Sequence, residues 1–109
     1  MIKKLTFFLI VLMSFNALTQ DRLIVDVRTL PEWEIKRIED AQLIEWQNIL
    51  VTITEMDIAK SNEILLFCRS GNRSGKAKKI LEDNGYTNVK NLGSIEEAGS
   101  YLKLPILKK

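Results

Sequence analysis

The distribution of apolar and polar residues along the chain predicts strands that alternate with helices. Two short and almost wholly apolar runs, 23–27 and 64–67, have the composition of strands that are covered on both faces. Weaker runs at 41–46 and 87–92 predict two further strands.

Helical patterns fall between these strands. Residues 29–32 resemble the entry to a short helix, with a proline and an acid in its first turn. Residues 47–59 combine helical spacing with strand-favouring residues, and we predict a helix there because a parallel sheet needs a crossover. A helix at 74–84 has one apolar face and ends at Gly85.

Ser94 to Glu97 has the form of a capping box that opens a last helix. The whole order predicts an α/β domain, a mostly parallel central sheet flanked by helices.

The first 19 residues have the three-part pattern of a secretory signal peptide. A basic start precedes an apolar run, 5–13, that is shorter than the roughly 20 residues needed to span a bilayer. Ala17 and Thr19 are spaced for cleavage before Gln20. We therefore expect an exported, periplasmic protein with a signal peptide at 1–19 and one domain at 20–109. An uncleaved membrane anchor and a cytosolic protein with an apolar start are the alternatives.

Charge and composition exclude several classes of protein. The 109 residues include 16 basic and 14 acidic ones, so loss of Lys3 and Lys4 leaves a neutral domain with no electrostatic reason to bind nucleic acid. The chain has no histidine, which excludes Ser-His-Asp triads and most histidine metal sites. The single cysteine, Cys68, can form neither an intramolecular disulfide nor a Cys-rich zinc site. We expect no metal and no cofactor.

Cys68 ends the second strong strand and begins the segment Cys-Arg-Ser-Gly-Asn-Arg-Ser at 68–74, which we call the cysteine loop. This puts the sulfur at the carboxyl end of a sheet strand and before a helix, where open α/β sheets bind ligands. Gly71 permits a sharp turn with inward-pointing amides, and such amides bind anions. Arg69 and Arg73 add two cations. Such surroundings lower a thiol pKa to roughly 3.5–7.5, although an inert buried thiol is the alternative.

The spacing within the loop distinguishes two chemistries. Four residues separate Cys68 from Arg73, one fewer than in cysteine-dependent phosphatases. The shorter loop suits one transferable sulfur atom and is tight for a phosphoryl group. It also contains no His or Asp that could act on a leaving group. The count favours sulfur transfer over a phosphatase or an arsenate-reducing enzyme.

The cysteine loop resembles the active-site loop of the rhodanese family. Other segments are similar to further motifs of that family: Asp26-Val27-Arg28, Glu32-Trp33, Asn84-Gly85-Tyr86, Val89 and Leu92-Gly93. The similarity extends from about Leu23 to Gly93. With its signal-peptide pattern, single domain and short ending from Leu104 onward, the chain resembles the small periplasmic members of the phage shock protein E type.

The resemblance implies a thiosulfate sulfurtransferase in which Cys68 carries sulfur as a persulfide. Arg69 and Arg73 would bind a small anionic sulfur donor, although an arginine here could equally lock the loop by pairing with an acid. The residues that hold the transferred sulfur would be Ser70, Gly71, Asn72 and Ser74. A thiol, cyanide or a thiol-carrying protein would accept it. A non-enzymatic persulfide carrier or partner-binding module is the alternative.

Asp26 and Arg28 are expected to support the loop from beneath. Outside the loop the chain departs from the family pattern at a few turns. Asp40 replaces the glycine of a Gly-Ala pair, Glu45 replaces a proline, and Ser94 replaces a second glycine. Lys36-Arg37-Ile38 likewise replaces Gly-His-Ile. These changes affect local turn geometry and access of substrate.

Overall fold

A computed structural model describes residues 22–109 of the chain, so the predicted signal peptide lies outside the described residues. Within this range the helices and strands are, in chain order, β1 (Arg22–Asp26), α1 (Leu30–Ile35), β2 (Lys36–Ile38), β3 (Gln42–Leu43), a 3-10 helix (Trp46–Asn48), α2 (Ile49–Glu55), β4 (Glu63–Cys68), α3 (Asn72–Asp83), β5 (Val89–Ser94), α4 (Ile95–Leu102) and β6 (Ile106–Lys108). None of the helices in 22–109 is both long and apolar enough to cross a membrane.

Four strands form the central sheet in the order β3-β1-β4-β5, and every neighbouring pair is parallel. The predicted fold class, an α/β domain with a mostly parallel sheet and flanking helices, is confirmed. Strands β2 and β6 form a separate antiparallel pair. The sequence pattern did not predict this pair, because each strand has only three residues and its partner is distant along the chain.

Apolar side chains cover both faces of the sheet, as the continuous apolar runs require. Side chains of β4 alternate between two buried clusters. Ile64, Leu66 and Cys68 belong to the cluster that includes the buried residues of α2 and α3. Leu65 and Phe67 belong to the cluster beneath α4. Cys68 therefore points to the side of the sheet on which α3 packs.

The predicted helices are all present, although α2 ends earlier, at Glu55, and α3 begins earlier, at Asn72, than the sequence predicted. The ambiguous segment 47–59 is helical over most of its length, as a 3-10 turn followed by α2. Gly85 has a φ of +93°, the left-handed conformation expected after α3. Ser94 caps α4 with a complete capping box to Glu97. The strand predicted at 41–46 is shorter, only Gln42–Leu43, because the chain turns into the 3-10 helix at Trp46.

Each single-residue departure from the family pattern has a local explanation. Asp40 has a φ of +71°, a conformation that glycine adopts freely and that Asp tolerates better than most residues. Glu45 has a φ of −58°, which proline would also adopt. The Glu45 carboxylate accepts a hydrogen bond from the N–H of Leu30 at 3.2 Å. Ser94 needs no glycine conformation, and its hydroxyl caps α4.

Candidate active site

The four parallel strands of the central sheet end at one edge, and the cysteine loop lies there. Cys68 is the last residue of β4, between β1 and β5. Gly71 is the N-cap of α3 and has a φ of +93°. A Cβ atom at Gly71 would also lie 3.3 Å from the Cα of Gly93, so both the conformation and the close approach of β5 require glycine.

The sulfur of Cys68 receives hydrogen bonds from its own loop. The N–H of Gly71 donates to Sγ at 3.0 Å, and the N–H of Ser74 points to it at 3.5 Å. The hydroxyl of Ser74 lies 3.3 Å from Sγ, where either atom can be the donor. Because backbone N–H groups can only donate, this arrangement favours a negatively charged sulfur.

Two opposing effects set the pKa of Cys68. Burial of the sulfur is the largest single effect and raises the pKa. The hydrogen bonds from the Ser74 side chain and from the backbone of Ser74, Ser70 and Gly71 together outweigh it, so the thiol pKa lies below its ordinary value. The arginines of the loop are not among these main causes. The sequence predicted that amides and arginines together would lower this pKa, and the main contributions come from amides and a hydroxyl.

Cys68 has no solvent-exposed surface in this conformation of the loop. The neighbouring residues Arg69, Ser70 and Asn72 are exposed. The sulfur therefore lies directly beneath the exposed residues of the loop.

Arg73 forms a two-point ion pair with Glu32 of α1. Its Nη1 and Nη2 atoms donate to the two carboxylate oxygens at 2.8 and 3.1 Å. The hydrogen bond from Arg73 is the largest cause that lowers the pKa of Glu32 to about 2. Of the two roles left open for Arg73, pairing with an acid is present, and donor binding stays a prediction.

Arg69 lies beside a cavity of about 440 Å³ next to the loop. The cavity is lined by Arg28, Glu32, Ile35, Lys36, Arg69, Ile95 and Glu96. The Lys36 ammonium pairs with Glu96, and Glu32 pairs with Arg73. Within residues 22–109, Arg69 forms no ion pair. Among the cations that line this cavity, Arg69 can therefore bind an anion without breaking an existing ion pair.

Asp26 and Arg28 form a buried ion pair at the end of β1. Asp26 is 0% exposed and Arg28 is 3% exposed. The guanidinium group donates to both carboxylate oxygens, at 2.7 Å for Nη2, and the same Nη2 donates to the carbonyl of Lys36. The N–H of Val27 donates to the carbonyl of Phe67, which directly precedes Cys68. The pair therefore lies close to the start of the loop, and its supporting role stays a prediction.

The sequence did not identify Asn91 of β5 as a site residue. Its side chain donates to the carbonyl of Gly71 at 2.9 Å and accepts from the Ser74 hydroxyl at 2.7 Å. One signal could have indicated it: a polar residue near the carboxyl end of a predicted strand of the same sheet. Glu32 was noted only as part of a motif, and its ion pair with Arg73 was not predicted.

Comparison with known proteins gives consistent matches. The family profile described as "Rhodanese-like domain" matches residues 14–98. The thiosulfate sulfurtransferase PspE of Escherichia coli is 29% identical over 73 residues, 67% of this chain and 70% of PspE. A sulfurtransferase of Allochromatium vinosum is 38% identical over 74 residues, 68% of this chain and 67% of that protein.

Solved structures have the same fold. A structure described as "rhodanese with anions from E. coli" superimposes with a TM-score of 0.69 and 26% sequence identity, over 81% of this chain and 99% of that one. The family profile spans most of the sequence and includes every residue of the cysteine loop. The chain therefore belongs to the family of rhodanese-like domains, and its curated relatives include sulfurtransferases.

Proposed function

We propose that the protein is a thiosulfate sulfurtransferase that moves sulfur through a persulfide on Cys68. The observation that carries this proposal is the set of donors around one sulfur atom, the N–H groups of Gly71 and Ser74 and the Ser74 hydroxyl. Donors so arranged stabilise a thiolate, which is the nucleophilic form of cysteine. The name of the Escherichia coli relative, a thiosulfate sulfurtransferase, supports the choice of donor.

The reaction balances as two displacements on sulfur. The Cys68 thiolate attacks the outer sulfur of thiosulfate, a new S–S bond forms, and the S–S bond of thiosulfate breaks as sulfite leaves with the electron pair. Cyanide or a thiolate then attacks the outer sulfur of the persulfide. The Cys68–sulfur bond breaks and the Cys68 thiolate is regenerated.

Each loop residue has a role in this proposal. Arg69 binds the sulfonate oxygens of the donor, because its guanidinium group borders the cavity without an ion pair among residues 22–109. Arg73 holds the loop against α1 through Glu32, and any contact with the donor would compete with that pair. The backbone of residues 70–74 binds the transferred sulfur. Arg28 and Asp26 fix the end of β1 next to the loop.

We further propose that residues 1–19 act as a signal peptide and that the domain works after export, in the periplasm. The basic start, the apolar run and the small residues before Gln20 support this. A mature protein that begins at Gln20 would have the corresponding intact mass. A mass for the full 109-residue chain after expression with an active export system would contradict it.

Intact mass spectrometry tests the chemistry directly. Wild-type protein treated with thiosulfate should gain the mass of one sulfur atom and lose it again on addition of cyanide, with release of thiocyanate. Cys68→Ser should gain nothing. Arg69→Gln should still form the persulfide but require a higher thiosulfate concentration, while Lys79→Gln, an exposed change on α3, serves as the matched control.

The outcomes separate the proposal from its alternatives. Repeated turnover of thiosulfate and cyanide supports the enzyme. A persulfide that forms but passes to no small acceptor would indicate a carrier for a docked protein instead. An unmodified thiol together with turnover of a phosphate ester would indicate a phosphatase and refute the proposal.

A further inference from the structure

The side chain of Asn91 connects three parts of the candidate site. Its Nδ2 atom donates to the carbonyl of Gly71 at 2.9 Å. Its Oδ1 atom accepts from the N–H of Gly93 at 2.9 Å and from the hydroxyl of Ser74 at 2.7 Å. Because a carbonyl only accepts and a backbone N–H only donates, these two backbone partners fix the orientation of the amide. Oδ1 therefore faces Ser74.

The Ser74 hydroxyl has one proton and two neighbours that can accept it. Its Oγ atom lies 2.7 Å from Oδ1 of Asn91 and 3.3 Å from Sγ of Cys68. When Cys68 is a thiol, its S–H can donate to Oγ while the hydroxyl donates to Asn91. When the thiol has lost its proton to water, the sulfur can only accept, and the best use of the hydroxyl proton is a charge-assisted bond to it.

We propose that Asn91 is a positioning residue of the sulfur site, whose Oδ1 atom holds the Ser74 hydroxyl proton while Cys68 is protonated and releases it to the sulfur when Cys68 ionises. The hydroxyl turns about its C–O bond, and the only covalent change is loss of the S–H proton to water. Release costs little, because the N–H of Gly93 still donates to Oδ1. The inference deepens the proposed function, since it concerns the nucleophile of that reaction.

The same movement fits the second half of the reaction. Once a persulfide has formed, the negative charge lies on the outer sulfur and Sγ carries none. The Ser74 hydroxyl is then free to return to Asn91. The Ser74 hydroxyl proton thus points to Sγ when the sulfur is charged and to Oδ1 of Asn91 when it is not.

Substitution of Asn91 by Leu tests this role. Leu removes the acceptor that competes with Sγ for the Ser74 hydroxyl proton. The thiol form then loses its hydrogen bond from Ser74 to Asn91, whereas the thiolate form keeps the bond from Ser74 to Sγ. The thiol form is therefore destabilised more than the thiolate. The direct contribution of the hydroxyl should lower the titration midpoint of Cys68 by about half a unit to one pH unit. Asn91 is an exposed residue, so the change opens no core cavity. The midpoint is measured by the ultraviolet absorbance of the thiolate.

A double-mutant cycle separates this contribution from loosening of the loop, since Leu also loses the hydrogen bond to Gly71. In Ser74→Ala the hydroxyl is absent, and Asn91→Leu then reports the loop alone. The titration midpoint after Asn91→Leu should lie further down, by about half a pH unit to one pH unit, when Ser74 is present than in the Ser74→Ala background. Asn88→Leu, an exposed Asn before β5, is the matched control and should shift nothing.

Equal shifts in the two backgrounds would overturn the inference. The titration needs no turnover, so it also distinguishes this failure from failure of the proposed function. Additive midpoints with normal persulfide formation would refute only the role of Asn91, whereas coupled midpoints without persulfide formation would refute only the sulfurtransferase. If Asn91→Leu does not fold, Asn91→Asp replaces it in the same cycle. A carboxylate repels the thiolate in both backgrounds, but it also retains the hydroxyl proton more strongly, so the midpoint must rise more with Ser74 present than with Ser74→Ala. Equal rises in the two backgrounds refute the role.

Discussion

The ion pair between Glu32 and Arg73 joins the cysteine loop to α1, and its contribution to stability can be measured. We consider Glu32→Gln, which removes the charge. The amide oxygen of Gln can still accept from the N–H of Thr29, so the cap of α1 is kept. The pKa of Glu32 is lowered from 4.5 to about 2. A difference of this size corresponds to about 3 kcal/mol before screening by solvent.

Screening reduces that figure, because the side chains of Arg73 and Glu32 are 27% and 25% exposed. We expect Glu32→Gln to lower the free energy of unfolding at pH 7 by about 1–2 kcal/mol. The folded pKa lies below the unfolded one, so the contribution is fully present above pH 4.5 and is lost as the pH falls through about 2. The gap between wild type and variant should therefore close over that range.

Urea unfolding, followed by tryptophan fluorescence at pH 7 and near pH 2, measures this gap. Glu34→Gln, an exposed change on the same helix, is the matched control and should cost little at either pH. Arg73→Gln completes a double-mutant cycle in which the two changes should not be additive. Equal midpoints for Glu32→Gln and Glu34→Gln at pH 7, or additive free energies in the cycle, would refute the reasoning.

Further predictions concern the loop and its support. Gly71→Ala should lower the free energy of unfolding by about 1–3 kcal/mol in urea, since its φ is +93° and a Cβ would approach the backbone of β5. Asp26→Asn should cost about 3–5 kcal/mol in the same assay, because it leaves the buried Arg28 without a counter-charge. Asp40→Gly should be more stable than Asp40→Ala by about 1 kcal/mol, given a φ of +71° at this position. The titration midpoint of Cys68 should change by less than about 0.3 pH units between 0.1 and 1 M salt. The reason is that neutral donors are the main groups that lower its pKa, and salt mainly screens charges. A larger shift would show that the arginines dominate.

The sequence allowed the fold and the chemical centre to be predicted where the signal is local. Apolar runs identified β1 and β4, and the capping box identified the start of α4. Residues 68–74 form one continuous segment, so the sequence already placed the sulfur, the glycine turn and the helix start together. The strand β3 was predicted too long, and the β2–β6 pair was not predicted at all. Both have the same cause, because two or three residues carry too little periodicity to indicate a strand.

What the sequence could not supply is the pairing between distant segments, and this pairing decides what each charged group does. For Arg73 the sequence left two roles open, donor binding and pairing with an acid, and it could not name the acid: Glu32, 41 positions away, accepts from both of its terminal nitrogens. The main groups that lower the pKa of Cys68 are backbone N–H groups and the Ser74 hydroxyl, whose second partner, Asn91, belongs to another strand. Within a chain that has no histidine, the orientation of neutral donors around Sγ thus lowers the pKa of Cys68. The orientation of these donors toward Sγ depends on the fold, which holds β4, α3 and β5 together.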